Sequence, residues 1–77
     1  MTVEIISPEK KIFSGEASSV KVPGADGQFE MLNNHAAIIS TLVPGNVVVK
    51  TADQTETFEV KGGVIEMKNN KLIILAD

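Results

Sequence analysis

His35 is the only histidine in the sequence, so any catalytic hypothesis near neutral pH must start there. A nucleophilic triad or a metal site would require the fold to bring Ser40 and a carboxylate, Asp26 or Glu30, to its imidazole. No other residue supplies a base. A lone histidine after two asparagines is more typical of a loop residue that bonds to backbone or contacts another protein. We therefore predict no catalytic residue and no metal ligand, and a hydrolase centred on His35 is the enzyme alternative.

Lys68 supports a second chemical hypothesis, that of a covalently modified carrier domain. Small β-sandwich carriers present a lipoylated or biotinylated lysine at a turn, in a setting similar to Glu66-Met67-Lys68. In those domains the lysine lies near the middle of the chain between two similar halves. Lys68 is close to the end and no half-repeat is present, so the sequence favours an unmodified lysine and predicts no cofactor.

The remaining composition excludes other kinds of site. The ten acidic residues are spread without the dense acidic loop of a calcium site, and no cysteine is available as a ligand or nucleophile. Gly24 and Gly27 flank a turn that precedes no helix, so we expect no phosphate-binding loop and no small-molecule ligand. All seven basic residues are scattered lysines and the net charge is −3, which argues against nucleic acid as a partner.

The elements that would position these residues are predicted to be strands. Short apolar runs rich in Val and Ile alternate with turn residues along the whole sequence. Val20 and Val22 should share one face of a strand, and Val47 and Val49 one face of another. Turn pairs separate the runs at Ser7-Pro8, Pro23-Gly24, Asn33-Asn34, Pro44-Gly45, Gly62-Gly63 and Asn69-Asn70, the last of which fits a type I′ hairpin. About eight strands and no helix predict an all-β sandwich or flattened barrel.

The length and composition predict one globular domain over residues 1–77, with 43% hydrophobic and 22% charged residues. A chain this short buries only about 60% of the surface that its unfolded form exposes, so a permanent partner would stabilise it. The amino terminus has no signal-peptide pattern, and no run approaches the roughly 18 apolar residues of a membrane helix. We expect any membrane association to go through another protein.

One long motif resembles the epsilon chain of ATP synthase. It reads Val22-Pro23-Gly24-Ala25-Asp26-Gly27-Gln28-Phe29-Glu30-Met31-Leu32-Asn33-Asn34-His35-Ala36, followed by Leu42-Val43-Pro44-Gly45. The resemblance continues in residues 6–15 and 60–66 and closes with residues 74–77, so it covers essentially the whole chain. It implies a β-sandwich of about ten short strands, of the type that forms the amino-terminal domain of epsilon. Such a domain is a non-catalytic part of the central stalk at the foot of the rotor.

The resemblance also implies contacts with the polar loops of the membrane-embedded c-ring. The ring-facing loop of the family matches residues 23–30, and Gln28 and Glu30 would be direct contacts. The matched residues are Pro23, Gly24, Ala25, Asp26, Gly27, Gln28, Phe29 and Glu30. Because c-ring loops in this family are basic, the carboxylates of Asp26 and Glu30 would set orientation and register there.

A second implied partner is the γ subunit, whose contact surface in the family maps onto Ser7, His35 and Ser40. The expected function is to dock γ onto the c-ring and to couple ion-driven rotation to ATP synthesis. The protein would then lie on the cytoplasmic face of a bacterial cell membrane, held there by the complex.

Three residues depart from the family pattern. The family commonly has Gly where this sequence has Glu30, and Pro where it has Asn33 and Ala37. We expect the local loop geometry to differ there. Longer members continue into two helices that restrain ATP hydrolysis and in some cases bind ATP. This sequence stops at Asp77. If 77 residues is the full length, neither inhibition of that kind nor ATP binding is expected.

Overall fold

The chain folds into nine β-strands without a helix, and the computed structural model describes all of residues 1–77. The strands are β1 (Thr2–Ile6), β2 (Lys11–Glu16), β3 (Ser19–Gly24), β4 (Gly27–Leu32), β5 (Ile38–Leu42), β6 (Gly45–Lys50), β7 (Thr55–Val60), β8 (Gly63–Lys68) and β9 (Lys71–Ala76). The predicted all-β class is confirmed. The apolar pattern does not reveal β2, because Lys, Ser, Gly and Glu residues dilute its signal. The structure contains no helix long and apolar enough to cross a membrane.

The strands form two layers within one curled, continuously hydrogen-bonded sheet. One layer, here called the five-stranded sheet, has the order β2-β1-β9-β8-β5. The other, the four-stranded sheet, has the order β4-β3-β6-β7. All pairings are antiparallel except that of β1 with β9. A single residue pair, Gly24 with Leu42, joins the two layers.

Sixteen buried apolar residues form one core between the layers. The five-stranded sheet contributes Val3, Ile5, Leu42, Ile65, Met67, Leu72, Ile74 and Ala76, the four-stranded sheet contributes Val20, Val22, Met31, Val47, Val49 and Val60, and Met1 and Ala17 lie outside the strands. The shared faces predicted for Val20 with Val22 and for Val47 with Val49 are therefore confirmed. Phe13 of β2 packs against Phe58 of β7 with ring centroids 5.7 Å apart, which closes one side of the sandwich.

Two connections of β8 require unusual backbone geometry. Asn69 and Asn70 have φ angles of 51° and 59° and form the two-residue turn into β9, as the sequence predicts for a type I′ hairpin. At the other end of β8, Gly63 has a φ of 144°, and a Cβ atom there would lie 2.2 Å from the carbonyl oxygen of Leu75. Strand β8 can approach β9 this closely only because residue 63 has no side chain.

Candidate docking surfaces

His35 lies in the exposed loop between β4 and β5. Its Nδ1 is 2.8 Å from the carbonyl oxygen of Ala36, and its amide donates to the carbonyl oxygen of Leu32 at 3.2 Å. Ser40 is half-buried within β5, and Asp26 lies in a turn beyond the opposite end of that strand. No three histidine or acidic side chains come close enough to hold a metal ion. The arrangement is that of a loop histidine bonded to backbone, as the sequence favours.

Lys68 is the last residue of β8 and lies opposite Lys71 of β9. The tip of this hairpin is formed by Asn69 and Asn70, so Lys68 is on the strand beside the turn and not at its tip. This position gives the carrier interpretation no support.

The eight residues predicted to face a ring form one hairpin. Strands β3 and β4 pair through Gly24 with Gly27 and through Pro23 with Gln28, so a two-residue turn, Ala25-Asp26, forms the tip. Five of these eight residues are exposed, namely Ala25, Asp26, Gly27, Gln28 and Glu30. Pro23 and Phe29 are half-buried and Gly24 is buried. The hairpin thus divides into residues that can touch a partner and residues that support them.

Close packing holds the hairpin against the end of β5 and the start of β6. The amide of Ala25 donates to the carbonyl oxygen of Thr41 at 3.0 Å, and the amide of Val43 donates to that of Pro23 at 2.9 Å. A Cβ atom on Gly24 would lie 2.6 Å from the Phe29 ring, and one on Gly45 would lie 2.8 Å from Cβ of Pro23. These contacts leave the hairpin little room to bend.

The carboxylates of this hairpin are free to bind a partner. Asp26 and Glu30 are exposed, and neither takes part in the three ion pairs of the structure. Lys21 is the cross-strand neighbour of Glu30 but forms no ion pair with it. A cation brought by another molecule would therefore displace no internal partner.

The three residues predicted to face γ do not cluster at one point. His35 is near the β8–β9 turn, because the amide of its neighbour Asn34 donates to Oδ1 of Asn70 at 2.7 Å. Ser7 follows the end of β1 at the opposite end of the five-stranded sheet, and its amide donates to the carbonyl oxygen of Lys10 at 2.9 Å. Ser40 lies on the edge strand β5 opposite buried Ile65, so its half-buried side chain is on the core-facing side of that strand. The three residues border the five-stranded sheet.

Between these border positions the five-stranded sheet exposes aliphatic side chains on the face turned away from the core. Ile39 is 71% exposed, Leu75 54% and Val64 40%, and two half-buried isoleucines continue the surface. Cross-strand pairing places Val64 beside Leu75, and Leu75 beside Ile6. We call this surface the apolar outer face, and it consists of Ile6, Ile39, Val64, Ile73 and Leu75.

Two glutamates interrupt the apolar outer face, and their environments differ. Glu4 is paired with Lys11 at 3.1 Å and lies 3.9 Å from Lys71. Glu66 lies beside Ile39 on one side and Ile73 on the other, is exposed and has no ion-pair partner. Lys68 and Lys71 line one depression with Glu66 near the β8–β9 turn, but neither forms an ion pair with it. The face therefore offers one unpaired carboxylate with aliphatic neighbours across the strands and lysines towards the turn.

Sequence reasoning did not find the apolar outer face. The signal that could have revealed it is the run Leu72-Ile73-Ile74-Leu75, together with the doublets Ile38-Ile39 and Val64-Ile65. Consecutive apolar residues are expected in strands that are covered on both faces. Simple alternation accounts for only the inner half of each run.

The outer face of the four-stranded sheet is polar. Its exposed polar residues are Lys21, Gln28, Glu30, Asn46, Lys50, Thr55, Thr57 and Glu59, which we call the polar outer face, and Val48 and Pro23 lie half-buried among them. Its only strongly exposed large aliphatic side chain is Leu32, at the end of β4. This face needs no covering partner.

One departure from the family pattern has a local structural role. Oδ1 of Asn33 accepts a hydrogen bond from the amino group of Met1, which also donates to the carbonyl oxygen of Ala17 at 3.0 Å. A proline at position 33 could not accept this bond through its side chain. Glu30 and Ala37, the other two departures, are both exposed.

Comparison with known sequences assigns the whole chain to one family model. Residues 1–77 match the model described as the ATP synthase Delta/Epsilon chain β-sandwich domain. The chain is 40% identical to the ATP synthase epsilon chain of Leptospira borgpetersenii serovar Hardjo-bovis, over 100% of this chain and 61% of that protein. It is also 40% identical to the ATP synthase epsilon chain of Chlorobaculum tepidum, over 99% of this chain and 88% of that protein. The chain thus spans about three fifths of the first relative and most of the second.

Two solved structures share the fold. A chain of the central stalk and c-ring structure of the Tetrahymena thermophila mitochondrial ATP synthase aligns with a TM-score of 0.83 and 17% identity, over 97% of this chain and 61% of that chain. A chain of the Euglena gracilis mitochondrial ATP synthase, solved as OSCP/F1/c-ring, aligns with a TM-score of 0.89 and 16% identity, over 96% and 48%. At these identities the likeness establishes the fold alone.

Proposed function

The chain belongs to the ATP synthase Delta/Epsilon chain β-sandwich domain family, and we propose that it is a non-catalytic docking module of the central stalk. In this role it joins a γ subunit to the c-ring and couples ion-driven rotation to ATP synthesis. The observation that carries the proposal is the presence of two unlike surfaces, an acidic hairpin and an apolar outer face, on one small sandwich. Family membership alone would give only the fold, because function depends on the surfaces that the fold presents.

The ring contact is assigned to the β3–β4 hairpin. Its exposed Asp26 and Glu30 have no internal ion-pair partners and can meet basic loops of a ring without losing a contact. Such exposed charges set orientation and association rate more than affinity. Gln28, which lies opposite Pro23 on the hairpin, adds an uncharged hydrogen-bonding group.

The γ contact is assigned to the apolar outer face, to Ser7 and His35 at opposite ends of the five-stranded sheet, and to Ser40 on its edge strand β5. A contiguous exposed aliphatic surface on a small protein is characteristic of a binding site, because its burial is favourable and its exposure is not. A partner that covers this face would also remedy the small core expected for a chain of 77 residues.

The mechanical role requires that load on one surface reaches the other without deforming the domain. The packing of Gly24 against Phe29 and of Gly45 against Pro23 braces the hairpin, and the Gly24–Leu42 pair links it to the five-stranded sheet. Torque would pass from the ring through this hairpin into β5 and then into γ. In the complex the module lies at the cytoplasmic face of a bacterial membrane, which it reaches only through its partners.

Co-purification tests the proposal. The chain, mixed with a γ-containing subcomplex and with the c-ring at low and at moderate salt, should be retained by both. Failure to bind the γ-containing subcomplex under either condition would contradict the assignment. An intact mass equal to that of the unmodified chain, together with unchanged behaviour of His35→Ala in a hydrolase screen, would exclude the carrier and enzyme alternatives.

A further part of the proposal concerns regulation. For a protein that consists of these nine strands alone, we propose neither restraint of ATP hydrolysis nor ATP binding. ATPase rates of the complex with and without this chain should agree, and a nucleotide titration of the isolated chain should be flat. A marked rise in hydrolysis when the chain is removed would contradict this part.

A further inference from the structure

The four edge strands of the two sheets differ in how they are protected against pairing with another chain. Edge strands usually carry charged residues or proline, because an uncharged edge invites a further strand. Strands β2, β4 and β7 follow this rule through Lys11 and Glu16, through Glu30, and through Glu56 and Glu59. Strand β5 reads Ile-Ile-Ser-Thr-Leu and follows two alanines, so it has neither protection.

The backbone of β5 also has unused hydrogen-bonding groups. Two hydrogen bonds hold the Leu42–Gly24 pair, one from the Ala25 amide to the Thr41 carbonyl oxygen and one from the Val43 amide to the Pro23 carbonyl oxygen. The backbone amides and carbonyls of the odd-numbered residues in β5 therefore face away from β8. By strand alternation the amide and carbonyl of Ile39 and the amide of Thr41 face the same side. Leu42 is the only residue of β5 that pairs with a strand on that side, so these three groups have no backbone partner.

The surface beside this edge suits an added strand. Ile39 is the most exposed large aliphatic residue of the chain, at 71%, and lies next to the unpaired Glu66. An open depression of about 450 Å³ runs along this border and is lined by Ala37, Ile38, Ile39, Glu66, Met67 and Lys68. An added strand would extend the apolar outer face by one strand and could bring a cation to Glu66.

We infer that the γ partner adds an extended segment to the free edge of β5 by pairing with Ile39 to Thr41. The segment has an apolar side chain next to Ile39 and a basic group near Glu66. This inference rests on the proposed function and specifies how γ is held. Strand addition lets backbone hydrogen bonds supply affinity while alternate side chains supply specificity.

Charge favours this partner over a second copy of the chain. Each copy has a net charge of −3, so self-association would bring two negatively charged chains together. A segment with a basic residue instead compensates Glu66 at the edge.

Amide hydrogen exchange of the ¹⁵N-labelled chain, alone and with an unlabelled γ-containing subcomplex, tests the inference. The amides of Ile39 and Thr41 should exchange at least about tenfold more slowly in the complex, which corresponds to one added hydrogen bond each. Matched controls are the amides of Thr57 and Glu59, which face the free edge of β7 by the same alternation and should not change.

The possible outcomes separate the two proposals. Binding without slower exchange at Ile39 and Thr41 overturns strand addition and leaves the docking function intact, whereas absence of binding contradicts both. Exchange at these amides that slows in the isolated chain as its concentration rises means that a second copy occupies the edge, which also overturns the inference.

A pair of proline variants provides an independent test. Thr41→Pro removes an edge amide that makes no bond within the chain, and proline is tolerated at such positions. We expect this variant to weaken γ binding about tenfold, whereas Thr57→Pro at the edge of β7 should leave it unchanged. Thermal unfolding of each variant shows whether it still folds. If Thr41→Pro does not fold, the hydrogen-exchange experiment on the unmodified chain decides whether γ pairs with β5. Equal binding by both folded variants overturns the inference.

Discussion

The outer face of the five-stranded sheet presents Ile39, Val64 and Leu75 to solvent, whereas that of the four-stranded sheet presents Lys21, Glu30 and Glu59. Their inner faces are alike, since each contributes at least six buried aliphatic residues to the core. Folding the single chain therefore requires only the inner faces. The difference between the outer faces favours a covering partner on the five-stranded sheet and none on the four-stranded sheet.

The comparison assigns different physical roles to the two sheets. Covering the apolar outer face removes aliphatic area from water, which stabilises a complex with little dependence on salt. The β3–β4 hairpin at the rim of the four-stranded sheet offers exposed charge, whose contribution is smaller and is screened by salt. We therefore expect a firm γ contact and a more salt-sensitive ring contact.

The largest effect on stability is expected from a substitution that separates β8 from β9 in the five-stranded sheet. Gly63→Ala places a Cβ atom 2.2 Å from the Leu75 carbonyl oxygen at a φ of 144°, so β8 must move away from β9. The expected loss in the free energy of unfolding is about 3 kcal/mol or more. Denaturant titration measures it.

Gly27→Ala is the matched control, in the hairpin of the other sheet. Its φ of 124° is also positive, but no atom lies within 4 Å of the added Cβ. The expected loss is about 1 kcal/mol, from backbone strain alone. Equal losses for the two variants would mean that the close approach of β8 and β9 is not a constraint on the fold.

An intermediate effect is expected from changing the outer face without unfolding the chain. Leu75→Lys puts a charge at the centre of the apolar outer face, on a side chain that is already 54% exposed. Stability should change by no more than about 0.5 kcal/mol, whereas γ binding should weaken at least about tenfold. Calorimetric titration with a γ-containing subcomplex measures the affinity.

The polar outer face supplies the control for that change. Thr57→Lys adds the same charge on an exposed strand position of the four-stranded sheet. It should leave γ binding unchanged. If both lysine variants bind γ as well as the unmodified chain, the apolar outer face is not the γ surface.

The smallest effect is expected at the hairpin charges. Asp26→Asn with Glu30→Gln should weaken ring binding by about 0.2–1 kcal/mol per charge at low salt, and the difference should disappear as salt rises. Binding to c-ring preparations across a salt series measures this. Glu59→Gln removes a charge elsewhere on the polar outer face and should have no effect. A loss that persists at high salt would indicate a structural role for the two carboxylates.

The sequence predicts the core faces and several of the turns, because both depend on local patterns. The prediction of a turn at Pro23-Gly24 is wrong, because these residues end β3 as paired strand residues and Ala25-Asp26 forms the turn. Valines at 20, 22, 47 and 49 alternate with polar residues, and Asn69-Asn70 has the chemistry of its turn type. Strand β2 is harder to predict, because its half-buried Phe13 packs against Phe58 from the other sheet. That contact depends on tertiary packing, which periodicity does not contain.

The docking surfaces are predictable only in part. The hairpin is local, so residues 23–30 can be placed together from sequence. The apolar outer face joins β5, β8, β9 and β1, whose order in the sheet does not follow their order in the chain. For the same reason the positions of Ser7, His35 and Ser40 could be named by resemblance, while their places around the border of one sheet could not.

The parallel pairing of β1 with β9 has a consequence for how the protein is made. Strand β9 lies between β1 and β8, so β1 and β2 have no sheet to join in a nascent chain that does not yet contain residues 71–76. During synthesis the β1–β2 hairpin cannot join the sheet until β9 is present. Until then the edges of β1 and β8 that pair with β9 are open to other chains. Such non-local closure is expected to be slow, in the range of milliseconds to seconds. The sandwich can therefore close only after β9 has been synthesised.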